Sequence, residues 1–172
     1  MAASTLVSIE QYLKTSYRPD VEFIDGELKE KPKVQWAHVR LQSLLCEWFG
    51  RHEDEWSIIG GPEARTRVSA SRVRLPDVVM ISAGPSPQTL VDPPLIVIEI
   101  VSPGDSHSEL EARVRDYDAM GVPNIWIIDP QQRVARVCHG SSWTEVTRFT
   151  VENSPIYVDV PALFARLDKY NH

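Results

Sequence analysis

Cysteine is scarce in this chain. Of 172 residues only Cys46 and Cys138 are cysteines, far apart and outside any short spacing used for zinc or thiol-redox chemistry. We expect two reduced thiols in a cytoplasmic protein rather than a disulfide. Long hydrophobic runs are missing too. No stretch approaches the roughly eighteen apolar residues of a membrane span, so no membrane partner is expected. The opening "MAASTLVSIEQYL" lacks the basic and then apolar regions of a secretion signal. There is no internal repeat, glycine-rich phosphate loop, nucleophile elbow or zinc spacing. Positive charge is in deficit, with 18 Lys and Arg against 24 Asp and Glu and a net charge of −6. That excludes a uniformly basic coat for nucleic acid, while leaving open a focused site that works through a divalent cation. What is present is ordinary: 42% apolar and 24% charged residues, enough for one domain, residues 1–172, with its own core.

Local signals are clear along much of the chain. Ser8 and Gln11 have the capping-box spacing and should open a short helix through "IEQYLKT". "VEFIDGELKE" alternates around Asp25-Gly26, the dipeptide that best tolerates the positive φ angles of a type I′ hairpin turn. Leu41, Leu44, Leu45 and Trp48 recur at helical spacing in a helix from Trp36 that ends near Gly50. Gly60-Gly61-Pro62 should break the chain before two strands, "EARTRV" and "RVRLPDVVMI", joined through Ser69 to Ser71. "AGPSPQTLVDPP" should be a surface loop. Leu95 to Val101 is a strand, and Ser106 with Glu109 caps a helix that runs to about Met120 and ends at Gly121. "NIWIID" then makes a second buried strand, completing a βαβ crossover. A terminal hairpin in "RVARVCHGSSWTEVTRF" and a last helix from Pro161 close residues 133–172. The sum is an α/β or α+β mixed fold, a central mixed sheet flanked by helices.

One residue does not belong in that pattern. Glu99 lies in the middle of the aliphatic stretch Leu95 to Val101, and a carboxylate there costs several kcal/mol or more unless it is compensated. Period-two geometry places Leu95, Val97, Glu99 and Val101 on one face. Asp77 follows Pro76, 22 positions earlier, and leads into the apolar run Val78 to Ile81. Adjacent strands would bring the two acids side by side, where they repel unless a proton or a cation sits between them. Magnesium, a hard cation that binds oxygen and keeps several waters, would resolve this. Taken singly, Asp77 also suits a turn, and Glu99 also suits an arginine partner.

"RLPDVVMI", "LIVIEIVSPGDS" and "YDAMGVPNIWIIDP" together resemble the Uma family of restriction endonucleases, within the PD-(D/E)XK nuclease superfamily. "SIEQYLKTSYRPDVEFIDGELKEK" and "HVRLQSLLCEWF" resemble that family's opening hairpin and first long helix, so the likeness covers about residues 8–140. It implies a restriction-endonuclease-like core with Asp77 and Glu99 as paired metal ligands and the Ile100 carbonyl as a third. It also implies magnesium (manganese as a possible substitute) as cofactor, and DNA as partner. In such a site the metal would neutralise charge developing on a phosphodiester and lower the pKa of a bound water. Glu22 is a further candidate acid; the alternative is a solvated cross-strand pair with Lys29.

The superfamily pattern asks for lysine two residues after the acid, where this chain has Val101. By the same resemblance the matching position is Arg113 on the following helix, beside the inward stripe of Leu110, Val114 and Tyr117. Arginine can orient water and bind phosphate but cannot act as a base; alternatively, Arg113 simply neutralises Glu99. Arg65 and Arg67, then Arg72 and Arg74, each project from one strand face as candidate phosphate contacts, or else line a solvated outer face. His38 matches a family position too, but the expected role is a helix cap or packing. These residues point to a magnesium-dependent DNA endonuclease, with a homodimer as a candidate assembly because one site cuts one strand. The competing readings are an inactive nuclease-fold module that binds nucleic acid or a protein, and a nuclease for RNA or branched junctions.

Overall fold

A computed structural model describes residues 6–170; residues 1–5 and 171–172, part of the single-domain reading, lie outside it. In chain order the elements begin with helix α1 (Ile9–Lys14), the hairpin β1 (Glu22–Ile24) and β2 (Glu27–Lys29), helix α2 (Trp36–Arg51) and the short α3 (Glu53–Trp56). Strands β3 (Ile58–Gly61), β4 (Thr66–Ser69), β5 (Arg72–Arg74), β6 (Val78–Ser82) and β7 (Ile96–Ile100) follow. Then come α4 (His107–Met120), β8 (Asn124–Asp129), β9 (Val134–His139), β10 (Ser142–Val146), β11 (Arg148–Thr150), β12 (Tyr157–Asp159) and α5 (Val160–Asp168).

The main sheet has six strands in the order β10-β9-β8-β7-β6-β3, and its one parallel pair, β7 with β8, is the pair that α4 connects. Strand alternation splits its side chains between two cores. Val78, Met80, Ile96, Ile98 and Ile100 pack with Leu41, Leu44, Leu45 and Phe49 of α2 and Leu163 and Leu167 of α5. Val79, Val97, Ile125 and Ile127 pack instead with Leu110, Val114 and Tyr117 of α4. Full burial of each such aliphatic side chain is worth roughly 1.5–3 kcal/mol, so α2 and α4 are clamped to opposite faces. A separate four-stranded sheet, β2-β1-β5-β4, carries α1 on Tyr12, Phe23 and Val73.

Both capping boxes are present, at Ser8 with Gln11 and at Ser106 with Glu109. Gly121 ends α4 at φ 94°, and Asp25 and Gly26 take positive φ in the β1–β2 turn. Three expectations are corrected. The break expected at Gly60-Gly61-Pro62 comes only at Pro62, because Gly60 and Gly61 complete the edge strand β3, paired with Met80 and Val79 of β6. Glycine is needed there because a Cβ on Gly60 would run into the Val79 carbonyl oxygen and come within 2.9 Å of Met80 Cα. "RVRLPDVVMI" is two strands in different sheets: Leu75-Pro76-Asp77 ends the ladder of β5 before β6 begins, as expected for a residue with no N–H to donate. Finally, the C-terminal region contains a second small hairpin, β11 with β12, beyond the expected β9–β10 pair.

Candidate active site

Strands β6 and β7 run antiparallel with Val78 opposite Ile98. One step outward, Asp77 reaches the level of Glu99, and both are almost fully buried. The backbone holds Asp77 in place. Its Oδ2 accepts the Ile100 N–H at 2.7 Å, and the Gln42 amide of α2 donates to its carbonyl at 2.8 Å. Ile100 thus meets the site through its amide.

Asp77 Oδ1 accepts from Lys31 Nζ at 2.6 Å, and the same ammonium lies 3.8 Å from Glu99 Oε2 and donates to the Leu75 carbonyl at 2.7 Å. The cation between the acids is therefore a lysine from the segment after β2, 46 residues before Asp77. No local periodicity could reveal it; the only signal was the uncompensated acid pair itself. His38, in the first turn of α2, is buried with Nδ1 2.9 Å from Ser102 Oγ and Nε2 3.3 Å from Asp77 Oδ1. It belongs to the site wall and does not cap the helix.

Glu99 Oε1 accepts from the Tyr117 hydroxyl at 2.6 Å, whereas Oε2 is buried without a hydrogen-bond partner among the described residues. Arg113 reaches the site, but its Nη1 lies 3.9 Å from Glu99 Oε2 and donates instead to Asp105 Oδ1 at 2.9 Å. Burial, and then Asp77 alongside, push Glu99 up to about 7, against the opposing pull of Lys31 and Arg113. Burial would raise Asp77 as well, but Lys31 and His38 outweigh it and hold that carboxyl well below the usual range. Lys31 is held above its ordinary value: burial opposes its charge, and Glu99 and Asp77 more than compensate. The pair therefore divides into one firmly ionised acid and one that takes a proton easily.

Glu22 stands opposite Lys29 in the hairpin register, but its carboxylate turns inward. It accepts from Arg74 Nη1 at 2.9 Å and from the Leu75 N–H at 3.2 Å. Arg74 also binds Asp116 of α4, as does Arg72, which holds Asp25 too. Arg65 is bound to Asp20 and stacks on the Tyr12 ring, away from the acids. Arg67 curls back onto the carbonyls of Ser69 and Ala70. The four sequence-predicted arginines thus do not form one free basic face. A cavity of about 460 Å³ is lined by Glu22, Lys29, Lys33, Arg74, Glu109 and Arg113 among others; Arg113 links it to Glu99, while Asp77 and Glu99 themselves do not line it.

Among the described residues no cluster of three metal-ligating side chains occurs. The donor set still suits a hard cation. Two carboxylates converge, one oxygen is buried and unpartnered, and a magnesium-like ion would complete its shell with water. Asp77 Oδ1 and Glu99 Oε2 are the atoms that could hold it, provided the Lys31 ammonium now facing both moves aside.

A family model described as "Uma2: Putative restriction endonuclease" matches residues 9–164. No curated protein matches the chain. Among solved structures, the chain resembles a crystal structure titled a "putative nuclease belonging to DUF820" from Anabaena variabilis. The two are 19% identical, the match covers 94% of this chain and 99% of that one, and the TM-score is 0.77; this shows a common fold. A cryoEM structure of a DrdV–DNA complex overlaps at 20% identity, over 74% of this chain and 10% of that one, with a TM-score of 0.38.

Proposed function

We propose, from the premise that this chain belongs to the Uma2 family of restriction-endonuclease proteins, that it is a magnesium-dependent endonuclease hydrolysing DNA phosphodiester bonds. The observation that carries this reading is the placement of Lys31 Nζ between Asp77 and Glu99. It supplies the lysine that Val101 lacks and completes an acid–acid–lysine set. Asp77 Oδ1 and Glu99 Oε2 would hold the metal. Bound there, the metal would neutralise charge on the attacked phosphate and acidify a coordinated water.

The chain's own residues have separable tasks. Asp77, fixed by the Ile100 amide and kept ionised by Lys31, is the permanent anionic anchor. Lys31 presents an ammonium that can orient the attacking water and stabilise a pentavalent phosphate. Tyr117 donates to Glu99 Oε1 and so directs Oε2 toward the acid pair. Arg113, secured by Asp105, contributes fixed positive charge beside Glu99 and no base function. Glu22 positions rather than reacts: by binding Arg74 and the Leu75 amide it fixes the turn that delivers Asp77.

The test is hydrolysis of plasmid and oligonucleotide DNA with magnesium or manganese by the wild type, Asp77→Ala, Glu99→Ala and Lys31→Ala. Cleavage by the wild type and a loss of about 100-fold or more in each variant is expected. Cleavage that persists in both acid variants refutes the reading. The same ammonium supports a second reading, a non-catalytic nuclease-fold module that binds nucleic acid or a protein, because Lys31 already neutralises the acids without metal. Calorimetric titration with manganese separates the two: binding lost in Glu99→Ala supports the nuclease, and absence of binding supports the module.

A further inference from the structure

One stretch of unpaired positive charge in this acidic protein lies in a place the arginine pairs did not indicate. Between residues 29 and 40 there are four cations, Lys29, Lys31, Lys33 and Arg40, and one acid, Glu30, in a chain of net charge −6. Lys31 is committed to the acid pair. Lys33 and Arg40 have no ion-pair partner among the described residues, in contrast to the internally bound Arg65, Arg72 and Arg74. Within the same strip lie three exposed apolar side chains: Trp36 is 73% exposed, Val34 45% and Val39 37%. Trp36 and Val39 are three residues apart on α2 and share its outer face, while His38, Leu41 and Leu45 face inward. Scattered apolar residues on a surface need no explanation; an apolar cluster rimmed by cations marks a contact site.

Its location specifies the contact further. The strip is bracketed by Lys31 and His38, both of which approach Asp77. Lys29 and Lys33 also line the cavity that Arg113 shares. Helix α2 begins there without a side-chain cap and without an acid in its first turn, so no acid of the helix itself competes with an anion at that end. A largely exposed indole between unpaired cations offers a flat stacking face together with phosphate contacts, the combination by which proteins hold unpaired bases. Three side chains are too few for a stable protein interface, which buries about 800 Å² per partner.

We propose that Trp36, supported by Val34 and Val39, stacks on an unpaired or extruded base of DNA while Lys33 and Arg40 hold the flanking phosphates, placing the strand at the Asp77–Glu99 site. This rests on the nuclease reading for the identity of the partner. It predicts a preference for single-stranded or mismatched DNA over a fully paired duplex.

Binding of fluorescein-labelled single-stranded, mismatched and paired oligonucleotides to the full chain in EDTA, followed by anisotropy, tests this. Trp36→Ala should weaken binding to single-stranded and mismatched DNA about ten-fold, with a smaller effect on paired duplex, and Trp36→Phe should stay within about three-fold of wild type. Melting of both variants within about 2 °C of wild type establishes that the fold is intact. Unchanged affinity in Trp36→Ala overturns the proposal, as does a wild type that binds none of the oligonucleotides. A wild-type dimer that Trp36→Ala dissociates in sedimentation overturns it also, by assigning the patch to a second copy. Manganese-dependent cleavage is scored separately. A wild type that binds through Trp36 but never cleaves sinks the nuclease reading and leaves the surface standing. A wild type whose binding and cleavage ignore Trp36 does the reverse.

Discussion

Replacing Lys31 by methionine tests the electrostatic core of the site. Methionine keeps the length of the stem and removes the charge, leaving Asp77 and Glu99 buried without the ammonium at 2.6 and 3.8 Å. With an effective dielectric near 20, attractions at those distances are about 6 and about 4 kcal/mol. Against their loss stands the several kcal/mol no longer spent on desolvating the ammonium, so the net destabilisation should be about 3–5 kcal/mol. For a chain of this size that lowers the melting temperature by about 10 °C. Lowering the pH should shrink the deficit, because Glu99, already pushed up to about 7, can then take a proton instead of needing a cation. A divalent cation should do the same: manganese at pH 8 should raise the melting temperature of Lys31→Met more than that of wild type. The assay is thermal unfolding by circular dichroism, first in EDTA and then with manganese. A Lys31→Met protein that melts within about 2 °C of wild type in EDTA would refute the reasoning. So would a variant that manganese does not stabilise.

Two further outcomes follow from the same geometry. Because Glu99 has a folded value near 7 against an ordinary 4.5, the folded state binds more protons between those limits. Its contribution to stability should therefore be greatest below about pH 4.5 and fall as pH rises toward about 7. Asp77 acts in the opposite sense, but below its ordinary 3.8, outside that window. Denaturant titrations in EDTA should show a decline for wild type that Glu99→Gln flattens, and equal slopes would count against the assignment. Gly60→Ala should destabilise the protein by about 2 kcal/mol or more, since the new methyl meets the Val79 carbonyl and Met80 backbone across β3–β6. A shift below about 0.5 kcal/mol in chemical unfolding would show that this edge can give way.

The features legible in the sequence are those whose cause is local. Asp25-Gly26, the Ser8 and Ser106 capping boxes and Gly121 each satisfy a turn or a helix end with neighbouring residues, so their spacing carries the information. Glu99 was conspicuous for a related reason, as a charge violating the pattern of its own strand. The features that escaped depend on contacts across the fold. Gly60 reads as a breaker because glycine usually is one; only the closeness of Met80 explains it as a strand residue. Pro76 divides a run of uniform β propensity between two sheets, and the strand pattern on either side is indifferent to which sheet receives it. Glu22 looks like the partner of Lys29 in the hairpin register, until Arg74 approaches from β5 with a better-buried charge. Lys31 follows the hairpin in an unpatterned segment, and nothing near it mentions Asp77.

The 46-residue separation of Lys31 from Asp77 also gives the site an order of assembly. The acids meet when β6 and β7 pair, a closure across a 22-residue span. Lysine arrives only when the hairpin of the smaller sheet docks, and loops of greater span close later and more slowly on average. If the acids are buried first, the growing core holds two carboxylates with no cation, and Glu99 should then carry a proton that it releases when the ammonium lands. On that order of assembly, completion of the site should release a proton late in folding. A pH-indicator dye in stopped-flow refolding, above pH 7, would register it as a kinetic phase.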